Sequence, residues 1–244
     1  MVAIVTGGGN GIGKACCMKL AQHGIKVVIA DIDGEAAEQT AEEIRLMGQE
    51  ASSFYVNLVN VSEIKEMVVF AAERYGGISI LVNNAGILQT TEIENITETE
   101  WDQISDINLK AMFFACQAVL PYMKKNQYGR IVNMSSVAGR NGGFANGLAY
   151  SVTKAGVIGL SKGLATRLAK DNINVNTVCP GTTKTPILDG FTEEKVCELI
   201  EKIPLKKLGE VGDIANLVYF LCSEESSFIT GATIDINGGM YIGS

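Results

Sequence analysis

The sequence predicts an α/β fold: a single doubly wound domain over residues 1–244, with a seven-stranded parallel sheet and helices on both faces. Three observations carry that prediction. Short apolar, β-branched runs alternate with longer helical patterns along the whole chain. Runs such as Val2-Ala3-Ile4-Val5 are apolar at successive positions, as strands buried on both faces require. The runs also end in or beside Gly7, Asp31, Asn57, Asn84, Ser136 and Pro180, which gathers these residues at the one sheet edge where open α/β sheets bind ligands.

Composition excludes several classes of function. Hydrophobic residues make up 47% and charged residues 19% of the chain, which fits a large buried core and not disorder. A formal charge of −7 offers no general basic footprint for a nucleic-acid backbone. No apolar run reaches the ~18 residues of a membrane-spanning helix, and Met1 leads directly into the first apolar run, so a cytoplasmic protein without a membrane partner is expected. Six cysteines form no Cys-x-x-Cys pair, and with His23 as the only histidine no metal site is expected. The cysteines read as small buried hydrophobes in a reducing compartment, and His23, just before Gly24, reads as a helix-end cap.

Val2 to Val5 reads as the first strand and runs into Thr6-Gly7-Gly8-Gly9-Asn10-Gly11-Ile12-Gly13, ahead of a helical pattern from Lys14 to about His23. Strand, glycine-rich turn and helix suit a dinucleotide pyrophosphate, because glycines admit the phosphates and the helix N-terminus offers unpaired N–H groups. Ile25 to Ala30 is the second strand and ends in Asp31, whose carboxylate can accept from a ribose diol and repel a 2′-phosphate. With no cation at position 10 or directly after Asp31, NAD is expected over NADP; Lys14 is a nearby cation that could tolerate a phosphate. A helix with a solvated acidic face over Gly34 to Met47, a strand over Ala51 to Asn57 and a helix over Val61 to Tyr75 follow. Ile78 to Val82 ends in Asn83-Asn84-Ala85-Gly86, a turn of small residues suited to backbone contact with a ligand. Thr97 to Lys125 carries two helical stretches in which Trp101, Phe113 and Phe114 read as core. Gly129 to Met134 ends in Ser135-Ser136, and after the helix of Tyr150 the strand Ile173 to Cys179 ends in Pro180-Gly181. A mixed segment from Thr182 to Pro204 reads as a mobile lid, followed by a helix over Gly209 to Cys222 and a last strand over Ala232 to Ile236.

Tyr150 and Lys154 stand one turn apart on a helix face. Bringing a phenol from ~10 to about 7 needs ~4 kcal/mol, roughly what one charge ~4 Å away supplies at an effective dielectric of ~20. The expectation is therefore an acid strengthened by its neighbour, able to exchange protons near neutral pH.

Taken together, Thr6-Gly7-x-x-x-Gly11-Ile12-Gly13, Asn83-Asn84-Ala85-Gly86, Asn108, Ser136, Tyr150-x-x-x-Lys154 and Pro180-Gly181 resemble the short-chain dehydrogenase/reductase family along the whole chain. The resemblance implies a Rossmann-type fold and an NAD-dependent oxidoreductase that interconverts a secondary alcohol and its ketone. It implies that Tyr150 exchanges a proton with the substrate oxygen, that Lys154 lowers its pKa and bonds the nicotinamide ribose, that Ser136 holds the substrate oxygen, and that Asn108 keeps a water in a proton relay. The cofactor contacts it implies are Gly7, Asn10, Gly11, Ile12 and Gly13; Asp31 and Ile32; Asn57 and Leu58; Asn84, Ala85 and Gly86; Tyr150 and Lys154; Pro180 and Gly181; and Thr183 and Thr185. It also favours a homotetramer (or homodimer), built through the small residues Ala155, Gly156, Gly159, Gly163, Ala165 and Ala169. An NADPH-dependent 3-oxoacyl thioester (acyl-carrier-protein) reductase and a non-catalytic dinucleotide-binding regulator are the alternatives. The family's reductases of that kind often carry a basic residue where Asn10 lies. Thirteen residues separate Ser136 from Tyr150, one more than expected of the family, and Gly139-Arg140-Asn141-Gly142-Gly143 is the loop expected to absorb the extra one. Ile187, Leu188 and Phe191 either close over an apolar portion of substrate or simply pack the lid helix. Arg140 and Lys184 read as solvated surface cations, with contact to a polar or anionic substrate as the alternative.

Overall fold

The computed structural model describes residues 1–143, 147–188 and 190–243. The strands are β1 (Val2–Thr6), β2 (Lys26–Asp31), β3 (Ala51–Tyr55), β4 (Ile80–Asn83), β5 (Gly129–Met134), β6 (Ile173–Pro180) and β7 (Thr233–Ile236). They form one seven-stranded sheet in the order β3-β2-β1-β4-β5-β6-β7, parallel at every pairing. The helices are α1 (Gly11–Gln22), α2 (Gly34–Leu46), α3 (Val61–Tyr75), α4 (Glu98–Ser105), α5 (Ala111–Asn126), α6 (Ala138–Asn141), α7 (Leu148–Leu168), α8 (Glu193–Glu201) and α9 (Val211–Cys222).

Alternation of side chains along each strand splits the core into two layers. Ala3, Val5, Val27, Ile29, Val82 and Val132 pack with α1, α2 and α9 on one face. Ile4, Val28, Ala30, Leu81, Ile131 and Val175 pack with α3, α5 and α7 on the other. Neither face meets water, so the strands are apolar at both parities, as the sequence predicts. The chain leaves β3 at one sheet edge and returns as β4 beside β1. That reversal opens a crevice at the C-terminal ends of β1 and β4.

Local signals set several boundaries. Asp33 caps α2 by accepting from the Ala36 N–H at 3.0 Å, and Thr97 with Glu100 forms a capping box on α4. α3 stops at Gly76, which adopts a left-handed φ of 83°. α1 starts three residues earlier than the expected Lys14, because low glycine propensity masks a helix start at Gly11. A π-turn over Asp106–Lys110 joins α4 to α5, where the sequence suggests two plain helical stretches. Trp101 and Phe113 are 43% and 46% exposed and are not core, since α4 and α5 turn Ile104, Met112 and Cys116 inward instead. Cys16, Cys17, Cys116, Cys179 and Cys222 are buried as expected, whereas Cys197 is exposed on α8. His23 ends α1, with Nδ1 2.9 Å from the Lys19 carbonyl oxygen and its ring stacked 3.7 Å from that of Tyr219. Among the described residues, no helix is long and apolar enough to cross a membrane and no cluster could hold a metal ion.

Ile29 sits in the centre of β2 with no exposed surface. Ile29→Ala is expected to lower the free energy of unfolding by about 2–5 kcal/mol in urea titrations. Ile32→Ala, at the exposed position beside Asp31, is expected to stay within about 0.5 kcal/mol of the parent.

Candidate active site

The crevice between β1 and β4 is stitched by side chains. Thr6 Oγ1, at the end of β1, accepts from the Asn84 and Ala85 amides at 3.1 and 3.2 Å. The Asn84 amide nitrogen donates back to the Thr6 and Gly7 carbonyls at 3.1 and 3.0 Å. Asn84 is thus a brace between the two strand ends, and its amide nitrogen is committed to the protein. Gly7 holds a left-handed φ of 63°, and a Cβ on Gly13 would overlap the Gly7 carbonyl oxygen, so the first turn of α1 lies directly against the loop. Asn10 is the N-cap residue of α1 but makes no side-chain cap, which leaves the helix's leading N–H groups facing the loop for an anion.

Asp31 ends β2 with both oxygens engaged: Oδ2 accepts from the Gly9 N–H at 2.9 Å and Oδ1 from the Asp33 N–H at 3.0 Å. The carboxylate is therefore fixed against the glycine-rich loop, with acceptor capacity left over for a diol. Thr40 on α2 donates to the Gly9 carbonyl at 3.0 Å and braces the loop from the other side. Lys14, the nearby cation, is paired with Glu43 at 2.7 Å in a partly exposed contact. Asn57 Oδ1 accepts from the Val59 N–H at 3.1 Å in a local turn. These residues fit a dinucleotide: an anion-ready helix terminus, a glycine cradle and a positioned acceptor, in that order along the strand ends.

The second half of the site stands on β4, β5 and α7. Lys154 is buried, and its ammonium donates to the Met134 carbonyl at 3.0 Å, at the end of β5. A Cβ on Gly86 would lie 3.2 Å from Lys154 Nζ and 3.1 Å from Asn108 Oδ1, so the turn after β4 closes over both. Asn108, fully buried within the π-turn, accepts from the Ile87 N–H at 2.8 Å and donates to the Ile87 carbonyl at 3.0 Å. π-turns inside helices often mark functional positions. Ser135 donates to the Lys154 carbonyl at 2.7 Å, which ties β5 to α7, while the Ser136 hydroxyl accepts from the Ala138 N–H at 3.1 Å.

The electrostatics differ from the sequence expectation. Burial pushes the Tyr150 phenol up, and the neighbouring Ser136 hydroxyl pulls it partly back. Burial also pulls Lys154 down from its ordinary 10.5 to about 8. Lys154 Nζ stands 5.7 Å from the centre of the Tyr150 ring, and it is anchored on the Met134 carbonyl. Desolvation therefore outweighs pairing for both groups, and in the chain alone the phenol is not the strengthened acid that the spacing suggests.

The remaining predicted residues fall around this line. Gly181 packs on Asn237, Thr183 is buried and donates to the Gly181 carbonyl at 3.1 Å, and Thr185 stands over Gly11. Residues 182–204 contain a short 3₁₀ turn, Pro186–Leu188, and then α8. Phe191 is partly exposed and Lys184 is exposed; the Ile187 side chain and residue 189 lie outside the described residues. Arg140 does not point free toward a substrate but pairs with Asp235 at 3.2 Å. Gly156 lies against Leu109, and Gly159 has open space beside it. Sequence reasoning named Thr6, Gly9 and Ser135 within their motifs without assigning them a contact, and it missed Thr40 and Asp235, which act across 31 and 95 residues without a local signal.

A family model described as Enoyl-(Acyl carrier protein) reductase matches residues 7–241. The 3-oxoacyl-[acyl-carrier-protein] reductase FabG of Staphylococcus epidermidis is 40% identical over 243 residues, covering 98% of each chain. The reductase of the same name from Thermotoga maritima is 39% identical, covering 99% of this chain and 98% of its own. The (2S)-[(R)-hydroxy(phenyl)methyl]succinyl-CoA dehydrogenase subunit BbsD of Thauera aromatica is 38% identical over 98% of this chain and 95% of its own. Among solved structures, that of gox2181 superposes with a TM-score of 0.95 at 34% identity, over 98% of this chain and 95% of that one.

The depressed Lys154 pKa fixes the sign of a stability change. Below pH ~8 the folded chain bears the cost of a buried ammonium; between pH ~8 and ~10.5 the folded state sheds the proton while the unfolded state keeps it, so stability rises. Lys154→Met is expected to be more stable than the parent at pH 7 and to lose about 3 kcal/mol of that advantage by pH ~10.5. Urea titrations of both proteins across this range check it; a constant difference would contradict a desolvated ammonium.

Proposed function

The chain belongs to the short-chain dehydrogenase/reductase family, and on that premise we propose that it interconverts a 3-oxoacyl thioester and the corresponding 3-hydroxyacyl thioester with NAD(H). The family consists of oxidoreductases that bind a nicotinamide dinucleotide. The substrate class is that of the alternative reading of the sequence, the 3-oxoacyl thioester reductase, which the relatives support better than a generic secondary alcohol or ketone. It draws on the relatives, whose names describe acyl thioesters bearing an oxo or hydroxy group, on acyl carrier protein in one case and coenzyme A in another. The observation that supports the chemistry is the buried Lys154 and the half-buried Tyr150 next to Ser136, at the strand ends that also carry the glycine cradle.

The dinucleotide supplies or accepts the hydride; the chain's own residues handle the oxygen and the proton. Ser136 holds the substrate oxygen with a hydroxyl already oriented by the Ala138 amide. Tyr150 gives that oxygen its proton on reduction and removes it on oxidation. A phenol that its surroundings keep neutral is a competent donor, and developing negative charge on the oxygen meets the hydroxyls of Ser136 and Tyr150. Lys154 holds its ammonium near the phenol, and Asn108, fixed on the Ile87 backbone, keeps a water in the proton relay. Gly7, Asn10, Gly11, Ile12 and Gly13 take the pyrophosphate. Asp31 and Ile32 take the adenosine ribose, with Asn57 and Leu58 at the adenine. Asn84, Ala85, Gly86, Pro180, Gly181, Thr183 and Thr185 line the remainder, and the segment 182–204 acts as the lid.

Support for NADH over NADPH comes from Asp31, whose two oxygens are fixed by Gly9 and Asp33 and would repel a 2′-phosphate. An NADPH-linked reductase of the same thioesters shares every other feature and differs only there. With a 3-oxoacyl thioester, initial rates with NADH are expected to exceed those with NADPH by at least about tenfold, and Asp31→Ala to narrow the ratio. A strong NADPH preference would reverse the cofactor assignment while leaving the substrate class intact. Tyr150→Phe is expected to lower kcat about 10²–10⁴-fold with little change in dinucleotide affinity, measured by fluorescence titration.

A further inference from the structure

Resting on that reading, we propose that Arg140 is a positioning residue which, with Asp235 and Tyr241, clamps the turn carrying Ser136 onto the C-terminal ends of β6 and β7. Ser136 begins a tight turn that continues as α6. Its hydroxyl accepts from the Ala138 N–H at 3.1 Å, the Val137 N–H donates to the Pro180 carbonyl at 2.9 Å, and the Arg140 N–H donates to the Val137 carbonyl at 2.9 Å. Arg140 is the far handle of that turn. Its guanidinium reaches Asp235 on β7 at 3.2 Å and stacks over the ring of Tyr241 at 4.7 Å. The pair is mostly buried, at 14% and 22% side-chain exposure, so water screens it little. On the inner side the turn has no slack, because a Cβ on Gly139 would lie 2.8 Å from the Lys154 carbonyl oxygen.

The composition of the clamp argues for geometry over stability. A partly buried ion pair contributes little net stability, and an apolar pair of the same volume would serve as well. Here Arg140 Nε and Asp235 Oδ1 remain without partners in the interior, an additional cost. In return, a planar guanidinium held by a carboxylate and an aromatic face has few orientations, so the turn it terminates has few as well. The titratable groups around the clamp are Asp235 on β7, Cys179 on β6, Tyr241 in the C-terminal segment, and Lys154 and Tyr150 on α7. The consequence for chemistry runs through Ser136. If the turn drifts, Tyr150 loses the hydroxyl that offsets its burial, and its phenol becomes a weaker acid.

The test compares Arg140→Gln and Arg140→Lys, each alone and in a Ser136→Ala background. In the parent background, Arg140→Gln is expected to lower kcat about 10–100-fold, the scale of a 1 Å misplacement, with dinucleotide KM within about twofold. Arg140→Lys is expected to retain part of the rate. The apparent pKa governing alcohol oxidation is expected to rise in Arg140→Gln, as it does in Ser136→Ala, and not to rise further in the double variant. Amide hydrogen exchange at Val137 and Ala138 is expected to quicken in Arg140→Gln, relative to strand amides in the same sample. Equal losses of kcat in both backgrounds, an unmoved pH profile, or unchanged exchange at Val137 and Ala138 would each overturn the proposal. Failure of the underlying reading looks different: Tyr150→Phe would then keep full turnover, while the exchange measurement still decides whether Arg140 holds the turn.

Discussion

A lysine ammonium buried inside the protein and held on a backbone carbonyl, with no carboxylate paired to it among the described residues, is the constraint on which the rest of the site depends. Lys154 donates to Met134 at 3.0 Å, and its pKa falls to about 8 because burial disfavours its charge. Such a group persists only where the surroundings leave it no alternative. Ser135 ties its own carbonyl to β5, Gly86 closes over its head, and Asn108 holds the segment that follows Gly86. These partners come from β4, β5, the π-turn and α7, so the doubly wound topology is what brings the lysine and its restraints together.

The cofactor half of the crevice obeys a related rule, that polar side chains at the strand ends are committed to the backbone before any ligand arrives. Asn84 and Thr6 lock β1 to β4, Thr40 and Asp31 lock the glycine-rich loop to β2 and α2, and Lys14 is bound to Glu43. Preorganised groups pay no ordering entropy when charge appears beside them, which favours both dinucleotide binding and stabilisation of a developing oxyanion. The same rule extends to the substrate side, where Arg140 joins the Ser136 turn to the last strand. The thioester substrate proposed for the chain draws on the names of relatives that match over nearly the full length, whereas the proposed preference between dinucleotides draws on this chain's own Asp31.

Much was legible in the sequence because it depends on local periodicity. The strand runs, the glycine-rich turn, α3 and β5 at their expected limits, and the one-turn spacing of Tyr150 and Lys154 follow from side-chain patterns of two and 3.6 residues. Family resemblance implied the roles proposed for Ser136, Asn108 and the cofactor contacts. The weaker expectations failed for identifiable reasons. A helix starting on glycine is masked by propensity, and Trp101 and Phe113 look like core until the facing of α4 and α5 is known.

By itself, the sequence determined the fold class, the parallel order of strand and helix, and the alignment of polar residues along one sheet edge, since each of these follows from alternation and from the backbone preferences of neighbouring residues. Only the tertiary structure decided how those residues behave. The raised phenol of Tyr150, the depressed ammonium of Lys154, the pairing of Lys14 with Glu43 and the reach of Arg140 to Asp235 all depend on what is packed around a charge, and desolvation is a property of the assembled interior that no spacing along the chain records.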